Sequence, residues 1–551
     1  MAISAQAQAL LDLPQRRVTP AELIRAILRM RVDLLWNGGI GTYVKASSER
    51  HGEIGDRAND ATRVDGREVR ALVVGEGGNL GFSQRGRIEY AANGGRLNAD
   101  FIDNSAGVNT SDVEVNLKIA LDAHQDGGPL PLARRNRLLR AATGEVAELV
   151  LRNNYLQSQA ISVMEMRAAA DLGEHQRLLH WLERAGELNR AVEFLPDDEQ
   201  IEERRRQGRG LTRPELALLL AYGKIALNHA LAQAGSAADP YLARELQRYF
   251  PAGLRGRYAR RIEHHRLRDE IIITAITNSC VNRVGPTLLM ECSEHSDADA
   301  GAVARAYTIA RDGAELRGLW ADIEALDGRV LAADQYQALW RTRRFLRHAT
   351  FWLLNHRSEY PAIGRAVARL TPQLRELVQI IPGALVGLDR ERYLEQRQQH
   401  LTQGFPERLA ERLAVLEPMQ VAYELCELTR RSSQGVRRVA HTHFGLAGPL
   451  GLDWLQVAIE RLPGADDWQR AAKAALSGAA RAAHLRLTAA SLRAGGRAGA
   501  GMQAQAQLSR WQALVSSLRS LPSVELPALS VALEALKSLA DARPRLLAPL
   551  I

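Results

Sequence analysis

The chain has 551 residues, 46% hydrophobic and 25% charged, ordinary globular values that allow a sizeable core and suggest about three to four domains. Aromatic residues make up only 5%, so that core must come mostly from Leu, Ala, Val and Ile. The net charge of +9 is carried almost wholly by arginine, but Arg alternates with Glu and Asp along the whole chain, which reads as solvated helix faces and argues against a nucleic-acid-binding protein.

Three widely spaced cysteines (Cys280, Cys292 and Cys426) with no Cys-x-x-Cys predict a reducing compartment without a disulfide framework. The amino terminus lacks a basic region followed by an apolar stretch, and no run of about 18 apolar residues occurs. The expectation is a cytoplasmic protein with no membrane contact.

The first predicted helix is capped by Thr19, with Pro20 at its first position, Glu22 completing the box, and Leu23, Ile24, Ile27 and Leu28 as its apolar stripe. Val32 to Trp36 reads as a buried strand entering the loop Asn37-Gly38-Gly39. Ala71 to Val74 reads as a second strand, ending in Gly75-Glu76-Gly77-Gly78-Asn79. Phe101-Ile102 reads as a third, ending at Asp103-Asn104-Ser105-Ala106-Gly107. Three strands meeting small polar loops at their carboxyl ends is the pattern of ligand sites in open α/β sheets.

Thr110-Ser111-Asp112 with Glu114 looks like a helix start, and Asp126 to Pro129 like a break. From about residue 130 the pattern is almost wholly helical, with a second capping box at Thr212 to Glu215. Gly495 to Gln507, rich in Gly, Ala and Gln, reads as a loop or linker, with helices again from Leu508.

Gly75-Glu76-Gly77-Gly78-Asn79-Leu80 is a poor dinucleotide fingerprint. Its sixth residue is Leu80, and the strand-like Ile88-Glu89-Tyr90 comes too soon for a crossover helix. It reads instead as a strand-end turn, or as a ligand-facing loop whose Asn79 offers a donor and an acceptor. Ser83 is one residue out of place for a nucleophile elbow and is a loop residue. His441-Thr442-His443 and Cys292 with His295 lack a second ligand pair, and read as structural or surface residues rather than metal sites. Arg204-Arg205-Arg206 follows Glu202-Glu203, which points to a solvated helix.

Residues 32–45, 73–81 and 97–114 (from Val32-Asp-Leu-Leu-Trp-Asn-Gly-Gly, through Val-Val-Gly-Glu-Gly-Gly-Asn-Leu-Gly, to Leu-Asn-Ala-Asp-Phe-Ile-Asp-Asn-Ser-Ala-Gly-Val-Asn-Thr-Ser-Asp-Val-Glu) closely resemble the large bacterial NAD-dependent glutamate dehydrogenases. Leu211 to Tyr222 and Ile271 to Gly285 resemble the helical carboxy-terminal region of that family. The resemblance implies an α/β, partial Rossmann-like fold, the second half of a dinucleotide-binding domain, followed by a large all-α region. The expected domains are the last part of the catalytic domain at 1–122, a helical domain at 123–465, and a terminal helical segment at 466–551.

The shorter glutamate dehydrogenases add a weaker parallel of two loops. It places Glu76, Gly77 and Asn79 on one and Asn104, Gly107 and Ser111 on the other. It implies that Asn79 and Asn104 contact NAD near its nicotinamide end, that Asn37, Gly38 and Gly39 line the cofactor, and that Ser111 binds the side-chain carboxylate of glutamate. Small residues suit a backbone that must approach a ligand closely.

The implied reaction is oxidative deamination of L-glutamate to 2-oxoglutarate and ammonia. None of the five lysines (Lys45, Lys118, Lys224, Lys473 and Lys537) lies in the context of the family's catalytic lysine, and the glycine fingerprint is missing. The chain is therefore expected to begin after the first half of the cofactor domain and to be inactive without an upstream catalytic polypeptide. The alternative is a non-catalytic helical module for oligomerisation or regulation, in keeping with an expected homo-oligomer.

Overall fold

A computed structural model describes residues 1–122, 128–464, 467–494 and 502–542. The chain is mostly helical with a few short strands, and its packing divides into two compact units, Met1–Ala304 and Arg305–Ile551.

The helix expected at Thr19 is present, after an unforeseen short helix at Ala5–Leu10, and the strand expected to be buried instead exposes Leu34 and Trp36. Helix α1 (Pro20–Leu28) starts with the capping box: Thr19 Oγ1 accepts from Glu22 N at 3.2 Å, and the Glu22 carboxylate accepts from Thr19 N at 2.8 Å. Strand β1 (Leu34–Asn37) pairs in parallel with β4 (Val73–Glu76), Asn37 lying opposite Glu76. Between them, β2 (Val44–Lys45) and β3 (Val64–Asp65) form a second parallel pair. The apolar centre of these layers is Val44, Val64, Val74, Phe82, Tyr90 and Leu97.

Three further expectations need correction here. Ile88-Glu89-Tyr90 is not strand-like: it lies in helix α2 (Gln84–Ala92), whose N-cap is Ser83, with Gly86 N donating to Ser83 Oγ at 3.0 Å. The buried face of α2 is Gly86, Arg87 and Tyr90, so no aliphatic stripe announces it. Phe101-Ile102 is not a strand either, but part of the short helix α3 (Asp100–Asp103). The third extended segment comes earlier, at Arg96, which bridges Val73 in parallel: Arg96 O accepts from Val74 N at 2.8 Å and Arg96 N donates to Leu72 O at 3.1 Å. Finally, Ser111 starts no helix. Helix α4 (Ser105–Asp122) is already under way two turns earlier.

Long helices complete this unit, among them α5 (Leu132–Glu165), α6 (Arg213–Gln233) and α7 (Arg268–Val284). The Thr212 to Glu215 box is formed, Thr212 N donating to Glu215 at 2.6 Å. The fully buried Glu215 carboxylate also takes both Nη atoms of Arg204, at 2.7 and 2.8 Å. Arg205 and Arg206 pair with Glu202 and Glu203, so this basic run is matched by acids. All three cysteines are buried and none is in a disulfide.

The second unit is helical among its described residues. Its helices include α8 (Ala332–Asn355), α9 (Ile363–Ala384), α10 (Gly387–Thr402), α11 (Ala422–Ser432), α12 (Val436–Leu450) and α13 (Leu452–Arg461). They are followed by α14 (Asp467–Ala494), α15 (Met502–Arg519) and α16 (Leu526–Asp541). Helices α13 to α16 share one core of Leu455, Ile459, Leu487, Trp511, Leu529 and Leu536, with Trp511 Nε1 donating to Leu450 O at 2.8 Å. The expected linker is only partly testable: residues 495–501 lie outside the described residues, whereas 502–507 open helix α15. Ala and Gln favour helix, which overrides the loop reading there. Of the predicted break at Asp126 to Pro129, Asp126 and Gly127 also lie outside the described residues.

Candidate functional site

Parallel pairing puts the ends of β1, β4 and the segment after Arg96 on one rim. Asn37 receives Gly78 N on its carbonyl at 2.9 Å, which ties the first two loops together. The glycines permit this. A Cβ on Gly78 would lie 2.2 Å from Gly39 O, and one on Gly77 would lie 2.5 Å from the Trp36 ring. The close approach that demands glycine at 77 and 78 is therefore loop against loop, rather than backbone against ligand. Gly38 and Gly39 differ: both are exposed, and a Cβ on either would meet nothing nearer than 3.7 Å.

Glu76 points inward. Its carboxylate is fully buried, takes Arg87 Nε at 2.7 Å and Nη2 at 3.0 Å, and accepts from Phe82 N at 3.1 Å. Burial raises its pKa and the Arg87 guanidinium opposes that rise. Arg87 also reaches Asp100 at 3.1 Å, and Asp100 in turn accepts from Leu80 N at 2.8 Å. The side chain of Glu76 thus shapes the loop from beneath, while Asn79 and Leu80 are exposed.

The two asparagines do meet. Asn104 Nδ2 donates to Asn79 Oδ1 at 2.6 Å and to Gly78 O at 3.3 Å. Among the described residues, Asn79 Nδ2 and Asn104 Oδ1 have no further partner, so the pair leaves one donor and one acceptor on an open surface. Ser111 is not beside them. It is exposed on α4, seven residues beyond Asn104, which itself lies outside that helix at the end of α3. Gly107 lies between them, also exposed.

Four positioning residues escaped the sequence reading. Asn154 of α5 donates to Ile102 O at 2.7 Å and to Ser105 Oγ at 3.1 Å, clamping the junction that carries Asn104. Arg213 of α6 donates to Asn98 Oδ1 at 2.7 Å, Asn98 donates to Asp103 at 2.6 Å, and Asp103 accepts from Glu76 N at 3.0 Å. Burial raises the Asp103 pKa, while Asn98 and the Glu76 amide favour its charged form. These links join residues up to 115 positions apart, and no local pattern encodes them.

Among the described residues of this unit, the lysines are engaged with partners other than Asn79 and Asn104. Lys45 is buried against Asp65 and donates to Ala46 O at 3.1 Å. Lys224 of α6 donates to Gln157 at 3.0 Å, and burial pulls its pKa down to about 7. It stands eleven residues beyond Arg213, about 16 Å along the helix. No group of three or more His, Cys, Asp or Glu placed to hold a metal occurs among the described residues. His443 is buried and stacked on His484, and His295 bonds its own helix at Glu291 O. No helix among the described residues is long and apolar enough to cross a membrane.

Small polar loops at parallel strand ends, braced from behind by long helices, form an α/β rim joined to a helical scaffold. Residues 1–164 match the family described as bacterial NAD-glutamate dehydrogenase, catalytic domain, and residues 208–538 match glutamate dehydrogenase, C-terminal. The chain belongs to the bacterial NAD-specific glutamate dehydrogenase family. Curated relatives of that name are 40% identical over 471 residues in Halomonas elongata, 41% over 475 in Pseudomonas aeruginosa and 36% over 480 in Mycobacterium tuberculosis. Each alignment covers 86% of this chain but only 29% of the relative.

Proposed function

We propose that this chain supplies one wall of the cofactor and substrate site of an NAD-dependent glutamate dehydrogenase, in the second half of a Rossmann-like domain. NAD would accept the hydride from the α-carbon of L-glutamate; hydrolysis of the resulting iminium then gives 2-oxoglutarate and ammonia. The observation that carries this reading is the Asn79–Asn104 pair, whose free donor and acceptor complement a carboxamide such as that of nicotinamide. Asn37, Gly38, Gly39 and Gly77 line the same rim, with Glu76 acting through the loop it holds. Ser111, exposed further along on α4, is assigned to the side-chain carboxylate of glutamate.

The opposite wall, with the catalytic lysine, is assigned to an upstream polypeptide. β1 has β4 as its only strand partner among the described residues, and its outer region exposes Leu34, Trp36, Ile40 and Leu72. Trp36 is 60% exposed and Ile40 89%, which suits a docking surface better than a solvated edge. The purified chain should show no glutamate-dependent NAD reduction, and adding the upstream polypeptide should restore it. In the restored enzyme, Asn79→Ala should raise KM for NAD by about tenfold or more, in line with loss of buried hydrogen bonds. Failure to restore activity with two well-folded partners would refute the assignment.

A second reading concerns assembly. Unit Arg305–Ile551 has its own helical core and carries none of the rim residues, which favours a role in oligomerisation or regulation. Size-exclusion chromatography of the 551-residue chain tests the homo-oligomer; a clean monomer at micromolar concentration would count against it.

A further inference from the structure

The loop after β4 keeps glycine where a Cβ would strike a neighbour. A Cβ on Gly81 would lie 1.8 Å from Asn37 Nδ2, as those on Gly77 and Gly78 would meet Trp36 and Gly39. None of these three glycines has a left-handed φ. The one residue of the loop that does is Leu80, at φ 59°. That backbone is strained for a branched side chain, and glycine or asparagine would adopt it more readily. The conformation is fixed from beneath, where Leu80 N donates to Asp100 at 2.8 Å and Asp100 is paired with Arg87.

The fold gains little from this side chain. Leu80 is 63% exposed and takes no part in the apolar cluster of the strand layers, to which its neighbours Val74 and Phe82 belong. Strain kept for a side chain that the fold does not bury points to a contact outside the fold.

The surroundings indicate which contact. Leu80 directly follows Asn79, which with Asn104 leaves one donor and one acceptor. Two more exposed aliphatic side chains stand on the same rim segments. Ile40 directly follows Gly39, whose carbonyl lies against Gly78, and Val108 is in the first turn after Asn104. Two amides flanked by aliphatic carbon suit a flat ring that bears a carboxamide, the amide met by hydrogen bonds and the ring by carbon.

We propose that Leu80 is a further cofactor-binding residue, its side chain packing against the nicotinamide ring whose carboxamide Asn79 and Asn104 hold. This rests on the dehydrogenase reading above. In that position the leucine would fix the plane of the ring and exclude water from one of its faces.

The test uses the enzyme restored from this chain and its upstream polypeptide. NADH binding is followed by its fluorescence, with ADP-ribose, the cofactor without its nicotinamide, as competitor. Leu80→Gly should weaken NADH binding and raise KM for NAD by about tenfold, the contribution of one leucine contact. It should leave the affinity for ADP-ribose, KM for glutamate and the amount of upstream polypeptide needed for half-restoration within about twofold of wild type. Leu80→Met, which keeps an apolar side chain of similar volume, should hold NADH within about threefold of wild type. In the 551-residue chain alone, Leu80→Gly should raise the urea midpoint, because it relieves the strained backbone. Unchanged NADH affinity in Leu80→Gly, equal loss of NADH and ADP-ribose, or a lower urea midpoint would overturn the proposal. A wild-type enzyme that cannot be restored would instead overturn the dehydrogenase reading, and this assignment with it.

Discussion

Replacing Asp389 by Asn should make the folded chain more stable at neutral pH. Burial, first, and the neighbouring Asp453, second, raise the Asp389 carboxyl from 3.8 to about 6; Arg392 opposes this, and Glu417 and Glu460 add to it. A folded pKa above the unfolded one means that the native state holds the proton more tightly. The penalty for ionising it is therefore absent below about pH 4, grows between 4 and 6, and is complete above 6. At about 1.4 kcal/mol per tenfold, the full penalty is about 3 kcal/mol, or about 2 after allowing for the side chain's partial exposure. One effect opposes the gain: Asp389 sits in the first turn of α10, where a carboxylate is worth about 0.3–1 kcal/mol. Burial wins, and a net gain of about 1–2 kcal/mol remains. Since Asp389 makes no hydrogen bond that Asn would lose, the comparison is clean. The assay is urea unfolding of wild type and Asp389→Asn at several values between pH 4 and 8, following the transition of the helical unit. The difference should be near zero at pH 4 and full by pH 7. Equal stability at pH 7.5, or a difference independent of pH, would refute the reasoning.

Three further outcomes are expected. Arg87→Met should cost about 3–5 kcal/mol in urea unfolding, because it strands the fully buried Glu76 carboxylate and frees Asp100. Gly78→Ala should destabilise the rim, since its Cβ would lie 2.2 Å from the Gly39 carbonyl and neither backbone can yield; faster amide exchange at residues 37–40 and 77–81 is the readout. Lys224→Met should stabilise the chain by a few kcal/mol at pH 7 and below, where folding must bury a charge, and the advantage should fade towards pH 10.5, above which both states are neutral. No change in the thermal midpoint at pH 6 would count against it.

The sequence was most legible where the signal is local. The Thr19 and Thr212 capping boxes, the glycine turns after Asn37 and Gly75, and the helical run beyond residue 130 each depend on neighbours within a few positions. It was least legible where burial contradicts residue type. Helix α2 hides Gly86, Arg87 and Tyr90 on its inner face, so a buried ion pair does the work that an aliphatic stripe would have advertised. Phe101-Ile102 misled because two apolar residues before a polar cluster fit a strand end as well as one helical turn. The site itself was half visible. Asn79 and Asn104 were found through their loops and do touch, but Ser111, read as a helix start and by the parallel as part of the second loop, stands inside a helix that begins at Ser105.

What the residue pattern could not carry was the dependence of the rim on the helices. Asn104 is aimed at Asn79 because α3 ends at Asp103, and that ending is fixed from outside by Asn154 on α5. The other side of the same turn is fixed by Arg213 on α6 through Asn98 and Asp103, which also holds the Glu76 amide at the end of β4. Both clamps use neutral amides or charge-assisted bonds at 2.6–3.1 Å, strong enough to hold a loop. The helical region next to the strands is thus part of the rim's construction: it sets where the two amides stand.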